Sequence, residues 1–198
     1  MERQKITHNI KIVKLLHNDK YIAVLCKKWS FFDTKGNLVM TIDRSTPDIR
    51  LGNDMVVMDE VGNHTLYSLK TGECLMSTQQ IVKISSCCNF AIGVDLKRKA
   101  TIYHDGKISY LFGVSYVDLV DEAQLFYVCY DEAASYVIYD YHHLNIFNEG
   151  AVIISYSKEN HTLLVANPPE FVEYKVSTYD TMNKTKQCCI TPYESHKS

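Results

Sequence analysis

Thr65-Leu66-Tyr67-Ser68-Leu69-Lys70-Thr71-Gly72-Glu73 is a short strand-like run that ends in a glycine turn, and it has a counterpart on either side. Thirty-six residues earlier in register stands Trp29-Ser30-Phe31-Phe32-Asp33-Thr34-Lys35-Gly36-Asn37, and thirty-six later Ala100-Thr101-Ile102-Tyr103-His104-Asp105-Gly106-Lys107. Phe31, Tyr67 and Tyr103 occupy the same place in each, and Tyr139 continues the step. A period of this size marks stacked supersecondary units, each unable to bury its apolar face alone.

Outward from these segments, short runs rich in Val, Ile, Tyr and Phe alternate with turn formers. Tyr21 to Cys26, Met55 to Met58, Phe90 to Val94 and Leu125 to Tyr130 are the strongest. Such composition fits pleated, half-buried strands, and glycine or asparagine between them supplies positive φ. Sustained 3.6-residue periodicity is missing, so the reading is all-β. Aligned on the step, each unit has a first strand (Ile10 to Leu16, Pro47 to Leu51, Ile81 to Ser85, Val114 to Leu119), an apolar second strand, a third strand carrying the spaced aromatic, and a fourth after the glycine turn. The fourth unit is expected to have lost or shortened its last strand, because only His142-His143-Leu144 separates its third strand from a fifth unit at Asn145 to Tyr179. In that fifth unit Pro168 and Pro169 are expected to part the third strand from the fourth. Repeated four-stranded antiparallel meanders, about five of them, predict a small β-propeller, with an open β-sandwich as the alternative. Residues 1–179 are read as one repeat domain and 180–198 as a flexible tail.

The three quoted segments resemble third-strand and turn segments of WD-repeat-like propellers. The chain has no Trp-Asp dipeptide and no Gly-His pair, so the likeness is to a divergent member of that class. What the resemblance implies is a rigid interaction platform that meets its ligands through loops on one face or at a central channel.

Composition is that of an ordinary globular protein: 198 residues, 46% hydrophobic, 22% charged and a net charge of −2. The polar amino end lacks a signal-peptide stretch and no apolar run reaches membrane-span length, which predicts a cytoplasmic protein without a membrane role. Seven cysteines, an odd number with adjacent pairs at Cys87–Cys88 and Cys188–Cys189, are read as free thiols, with Cys26, Cys74 and Cys129 buried. Neither pair has metal-ligand spacing, and on a strand each would send its thiols to opposite faces. His142 and His143 are read the same way, so no metal and no cofactor are expected. P-loop, G-x-S-x-G, G-x-G-x-x-G and H-E-x-x-H patterns do not occur. The basic clusters Lys27-Lys28 and Lys97-Arg98-Lys99 are short and fall in turns, which argues against nucleic-acid binding.

One asymmetry stands out. From Ile108 to Ser157 there is no lysine or arginine, while Asp118, Asp121, Glu122, Asp131, Glu132, Asp140 and Glu149 fall there together with eight tyrosines. Carboxylates steer a basic partner and tyrosines supply buried contacts, so Asp118, Asp121, Glu122, Asp131, Glu132, Tyr116 and Tyr130 are the candidate partner-binding residues. The expected function is a non-catalytic protein-binding module. In size, acidity and lack of an active-site motif the chain is similar to bacterial immunity proteins that neutralise toxic nucleases, which implies a basic toxin as partner. Two alternatives stay open. One is a propeller hydrolase or glycan-binding protein using inner-strand carboxylates, with Asp59, Asp95 and Asp131 recurring at the same step. The other is a scaffold within a larger assembly.

Overall fold

The computed structural model of the protein describes residues 12–15, 20–43, 49–60, 62–130, 135–167, 169–180 and 186–197. These form five four-stranded antiparallel sheets, each built from four strands in sequence order. The first contains β1 (Ile12–Leu15), β2 (Tyr21–Leu25), β3 (Trp29–Asp33) and β4 (Leu38–Ile42). The second contains β5 (Ile49–Leu51), β6 (Met55–Glu60), β7 (Asn63–Ser68) and β8 (Cys74–Thr78). The third contains β9 (Ile81–Ile84), β10 (Phe90–Val94), β11 (Lys99–His104) and β12 (Lys107–Phe112). The fourth contains β13 (Val114–Val120), β14 (Leu125–Tyr130), β15 (Tyr136–Asp140) and β16 (Ile146–Ala151), with a 3-10 turn at Asp121–Ala123 between the first two. The fifth contains β17 (Ile153–Ser157), β18 (Thr162–Asn167), β19 (Glu170–Asp180) and β20 (Lys186–Lys197). The fold is thus all-β and made of repeated meanders, the blade unit of a propeller, and five sheets replace the two that an open sandwich requires.

The spaced aromatics take equivalent places. Phe31, Tyr67, Tyr103 and Tyr139 all lie on third strands, and each faces a second-strand residue: Ala23, Val56, Ala91 and Phe126. Phe31, Tyr103 and Tyr139 are buried, whereas Tyr67 is half-buried against its cluster.

The second strands read as apolar runs because both of their faces are covered. In β6 every residue from Met55 to Met58 is buried. Val56 and Met58 pack with Ala23, Leu25, Trp29 and Phe31 of the first sheet, while Met55 and Val57 pack with Ile81, Ala91 and Tyr103 of the third. A strand enclosed on two sides loses polar–apolar alternation, and each fully buried Val or Met contributes roughly 1.5–3 kcal/mol relative to exposure.

The described chain divides into two compact units, Met1–Leu96 with Ala100–Tyr110, and Lys97–Lys99 with Leu111–Ser198. The core of the second unit joins Val120, Leu125 and Ile138 of the fourth sheet to Leu163, Val165 and Val176 of the fifth.

The hairpins after the third strands close by local chemistry. Gly36, Gly72 and Gly106 have φ of 82°, 75° and 81°, a region costly for residues with a Cβ. The Asp33 carboxylate accepts the amide N–H groups of Lys35 and Asn37 at 2.9 and 2.8 Å. With the Asn37 side-chain amide as the largest cause, these donors hold its carboxyl below the usual range. The Ser68 hydroxyl accepts from Lys70 and Thr71 in the same manner.

Several expectations are corrected. The fourth unit keeps its last strand: β16 pairs with β15, so the fifth unit begins at Ile153 and not at Asn145. The join was hidden because the whole hairpin turn is Tyr141-His142-His143-Leu144-Asn145, closed by the Asp140 carboxylate, which accepts from the amides of His142, His143 and Asn145. His142 and His143 therefore sit in a turn, not on a strand. Pro169 falls between β18 and β19, the second and third strands of its sheet, and Pro168 lies outside the described residues. Beyond residue 179, where the sequence reading stops its strands, β20 continues the sheet by pairing along β19 from Glu170↔Lys197 to Asp180↔Lys186. The thiols expected in the core are nearer the surface: Cys74 is exposed at the start of an outer strand, and Cys26 and Cys129 are half-buried at strand ends. Among the described residues no helix is long and apolar enough to cross a membrane.

Candidate functional site

The residue types singled out by the charge asymmetry fall on the β13–β14–β15 surface. Strand alternation and register decide which of them meet. Tyr116 faces Cys129, Asp118 faces Tyr127, and Cys129 in turn faces Tyr136, so Tyr116, Asp118, Tyr127 and Tyr136 share one side of the sheet. The ring of Tyr116 lies 6.2 Å from those of both Tyr127 and Tyr136, which meet edge-on at 5.2 Å. Its hydroxyl donates to Asp118 Oδ2 at 3.2 Å, and Asp118 Oδ1 accepts the Leu119 amide at 2.8 Å. Tyr116 is 47% exposed, the outermost of the three rings. Burial, followed by the charge of Asp118, pushes the Tyr127 phenol well above its ordinary range, so it stays neutral beside the carboxylate.

Asp121 and Glu122 follow directly in the 3-10 turn. Asp121 Oδ1 accepts the hydroxyl of buried Tyr141 at 3.1 Å. Glu122 pairs with Lys158 at 2.9 Å, so the first base after the lysine-free stretch returns to its acidic turn. Tyr130 belongs elsewhere. It faces Val114 at the other end of the β13–β14 ladder, roughly 20 Å of strand from Asp121. Its side chain points to the opposite side of the sheet, where its hydroxyl meets that of buried Tyr139 at 2.7 Å. Asp131 and Glu132 lie outside the described residues. The structure therefore brings Tyr116 and Asp118 together on one side of β13, sets Asp121 and Glu122 in the turn that ends that strand, and puts Tyr130 on the opposite side of the sheet. Tyr127, Tyr136 and Lys158 are the members that sequence reasoning missed; their tyrosine or lysine identity was visible, but only the strand register connects them.

The repeated aspartates are occupied differently. Asp59 receives Arg50 through Nε and Nη2, both at 2.9 Å, and His64 Nδ1 lies 2.9 Å from Asp59 Oδ1. Arg50 also donates to the Ile81 carbonyl of β9, so this carboxylate helps tie the second sheet to the third. Asp95 follows β10, half-buried, and Asp131 is outside the described residues. Asp54, itself buried, pairs with the exposed ammonium groups of Lys20 and Lys70, and the hydrogen bond that Lys70 donates to it raises that ammonium above its usual range. Both arrangements pair each acid with a base.

The adjacent cysteines correct another expectation. Cys87 and Cys88 lie in the turn between β9 and β10, not on a strand, and both sulfurs approach the hydroxyl of Ser85, at 3.4 and 3.3 Å. Among the described residues no group of three or more His, Cys, Asp or Glu side chains is placed to hold a metal ion.

No protein-family model and no curated protein matches the chain. Among solved structures it is similar to a eukaryotic initiation factor, with a TM-score of 0.54 at 14% identity, covering 83% of this chain and 50% of that one. It is also similar to Kluyveromyces marxianus Hsv2, with a TM-score of 0.48 at 13% identity over 88% of this chain and 62% of that one. A third likeness is to the C-terminal WD40 domain of Sif2, with a TM-score of 0.42 at 10% identity over 96% of this chain and 72% of that one. The chain thus spans half of the initiation factor and 62% of Hsv2, and the likeness to the initiation factor is one of fold.

Proposed function

We propose that the protein is a non-catalytic interaction module that receives a basic protein partner on the Tyr116 side of the fourth sheet. The observation that carries this reading is the exposed Tyr116 ring, backed by Tyr127 and Tyr136 and bonded to Asp118, inside a stretch of fifty residues without lysine or arginine. A tyrosine held by two others presents a large rigid surface at small entropic cost, which is what an interface anchor requires. Asp118 beside it, with Asp121 and Glu122 in the turn that ends the same strand, adds negative potential, which favours encounter with a positively charged surface. The Glu122–Lys158 pair is exposed and screened by solvent, so an incoming lysine or arginine replaces Lys158 at little cost. The narrower form of the proposal, a toxic nuclease as the basic partner, is drawn from the profile of size and charge.

Affinity capture with the full chain, followed by kinetics on the purified partner, tests this. Reversal of Asp118 and Asp121 to lysine slows association and flattens its salt dependence, whereas Tyr116→Ala raises the dissociation rate. An acidic partner, or unchanged kinetics in both variants, contradicts the proposal.

A further inference from the structure

The turn that joins β9 to β10 holds two thiols where its backbone needs none. Ser85 is fully buried; its amide donates to the Phe90 carbonyl at 2.9 Å and its carbonyl accepts the Asn53 amide at 3.2 Å. The approach of the preceding turn is so close that a Cβ on Gly52 would lie 2.5 Å from the Ser85 carbonyl oxygen. Within this anchored turn the Ser85 hydroxyl oxygen accepts the amides of Cys87 and Cys88, both at 3.2 Å. Those bonds close the turn whatever side chains follow. Both sulfurs also lie within 3.4 Å of the same oxygen, and both thiols are outside any disulfide and half-buried.

Three sulfur chemistries compete for such a pair. A structural zinc site requires four ligands, and no third His, Cys, Asp or Glu stands beside the two thiols among the described residues. A disulfide is poorly matched to neighbouring residues, whose Cα atoms are about 3.8 Å apart across a trans peptide, short of the roughly 4.4–6.8 Å that disulfides span. A larger, soft atom inserted between the sulfurs removes that constraint, and thiolates prefer soft centres.

We propose that Cys87 and Cys88 form a two-sulfur chelate for a soft, sulfur-seeking trivalent centre of the arsenite type, on a turn that Ser85 holds in place. With an aryl arsenoxide the step balances without redox change. Two sulfur–arsenic bonds form, the arsenic–oxygen bond is lost, and the oxygen leaves as water with the two thiol protons while arsenic stays trivalent. This site is independent of the Tyr116 surface, and its test needs no protein partner.

The full chain is titrated with phenylarsine oxide and followed by native mass spectrometry. The expected result is one adduct formed with loss of one water, stable to a monothiol and reversed by a dithiol. Cys87→Ser and Cys88→Ser each weaken binding by on the order of a hundredfold or more, the gain that joining two ligands in one chelate supplies. The double variant Cys188→Ser/Cys189→Ser, which removes the other adjacent pair, keeps the adduct. As a check that requires no variant, the bound arsenical protects Cys87 and Cys88 from alkylation in a peptide map. An adduct that survives in both single variants, is lost in the Cys188/Cys189 variant, or leaves Cys87 and Cys88 open to alkylation overturns the proposal.

Discussion

The phenolic oxygens of Tyr130 and Tyr139 lie 2.7 Å apart, which binds a residue of the lysine-free stretch into the aromatic stack of Tyr139 on Phe126. Tyr130→Phe leaves the buried Tyr139 hydroxyl without this bond and is expected to cost roughly 1–3 kcal/mol. Urea unfolding measures the loss. Partner dissociation is expected to remain unchanged, which separates Tyr130 from Tyr116.

The 36-residue aromatics are predicted to differ by burial. Phe31→Ala removes a fully buried ring and costs about 3–5 kcal/mol. Tyr67→Ala, on a half-buried ring, costs less. Equal losses at both positions would mean that the exposure difference carries no energetic weight.

Arg50 and Asp59 are expected to be coupled. Asp59→Asn removes the charge from two guanidinium bonds and is predicted to destabilise by about 1–3 kcal/mol. A double-mutant cycle with Arg50→Ala isolates the pair from the neighbouring His64; additivity of the two changes would contradict a direct contact.

Gly93 is a position of close approach: a Cβ there would meet the Gln80 carbonyl oxygen and Thr78 Cγ2 at 2.5 Å each. Gly36 has open space but a φ of 82°. Gly36→Ala is therefore predicted to cost about 1–2 kcal/mol, the usual left-handed penalty, and Gly93→Ala more, because backbone must move. Thermal unfolding of the two variants orders them.

Alkaline pH is predicted to destabilise the fold. Burial raises the phenols of Tyr103, Tyr127, Tyr130 and Tyr174, and the hydrogen bond that it donates to Asp54 raises the Lys70 ammonium. Each folded pKa lies above its unfolded value, so the stability these groups add is fully present below about pH 10 and is lost as the pH rises through their folded values. Tyrosinate absorbance is expected to lag in the native protein relative to the unfolded chain. Coincident titrations would place these rings in water.

The repeat was legible because one aromatic recurs at a step of 36 with a glycine turn close behind it in three units, and the doubly covered second strands announce themselves as apolar runs such as Met55 to Met58. The fourth sheet's last strand was not, since Ile146 to Ala151 mixes Asn148, Glu149 and Gly150 into an outer strand with little to bury. Lys186 to Lys197 was missed for the same reason: its mixed polar residues and Pro192 hide a strand whose partner is another long strand. For the proposed surface, composition singled out the stretch from Ile108 to Ser157. It did not separate Tyr116 from Tyr130, because the side of a sheet on which a tyrosine falls depends on register and on the bulge between Val114 and Tyr116.

The proposed interaction surface is tested most directly by side-chain footprinting of the full chain, alone and bound to its captured partner. Oxidative labelling of Tyr116 and carboxyl labelling of Asp118 and Glu122 are predicted to fall on binding, while the turns at Lys27-Lys28 and Lys97-Arg98-Lys99 stay as reactive as in the free protein. Protection confined to those basic turns, with Tyr116 and Asp118 labelled equally in both states, would contradict it.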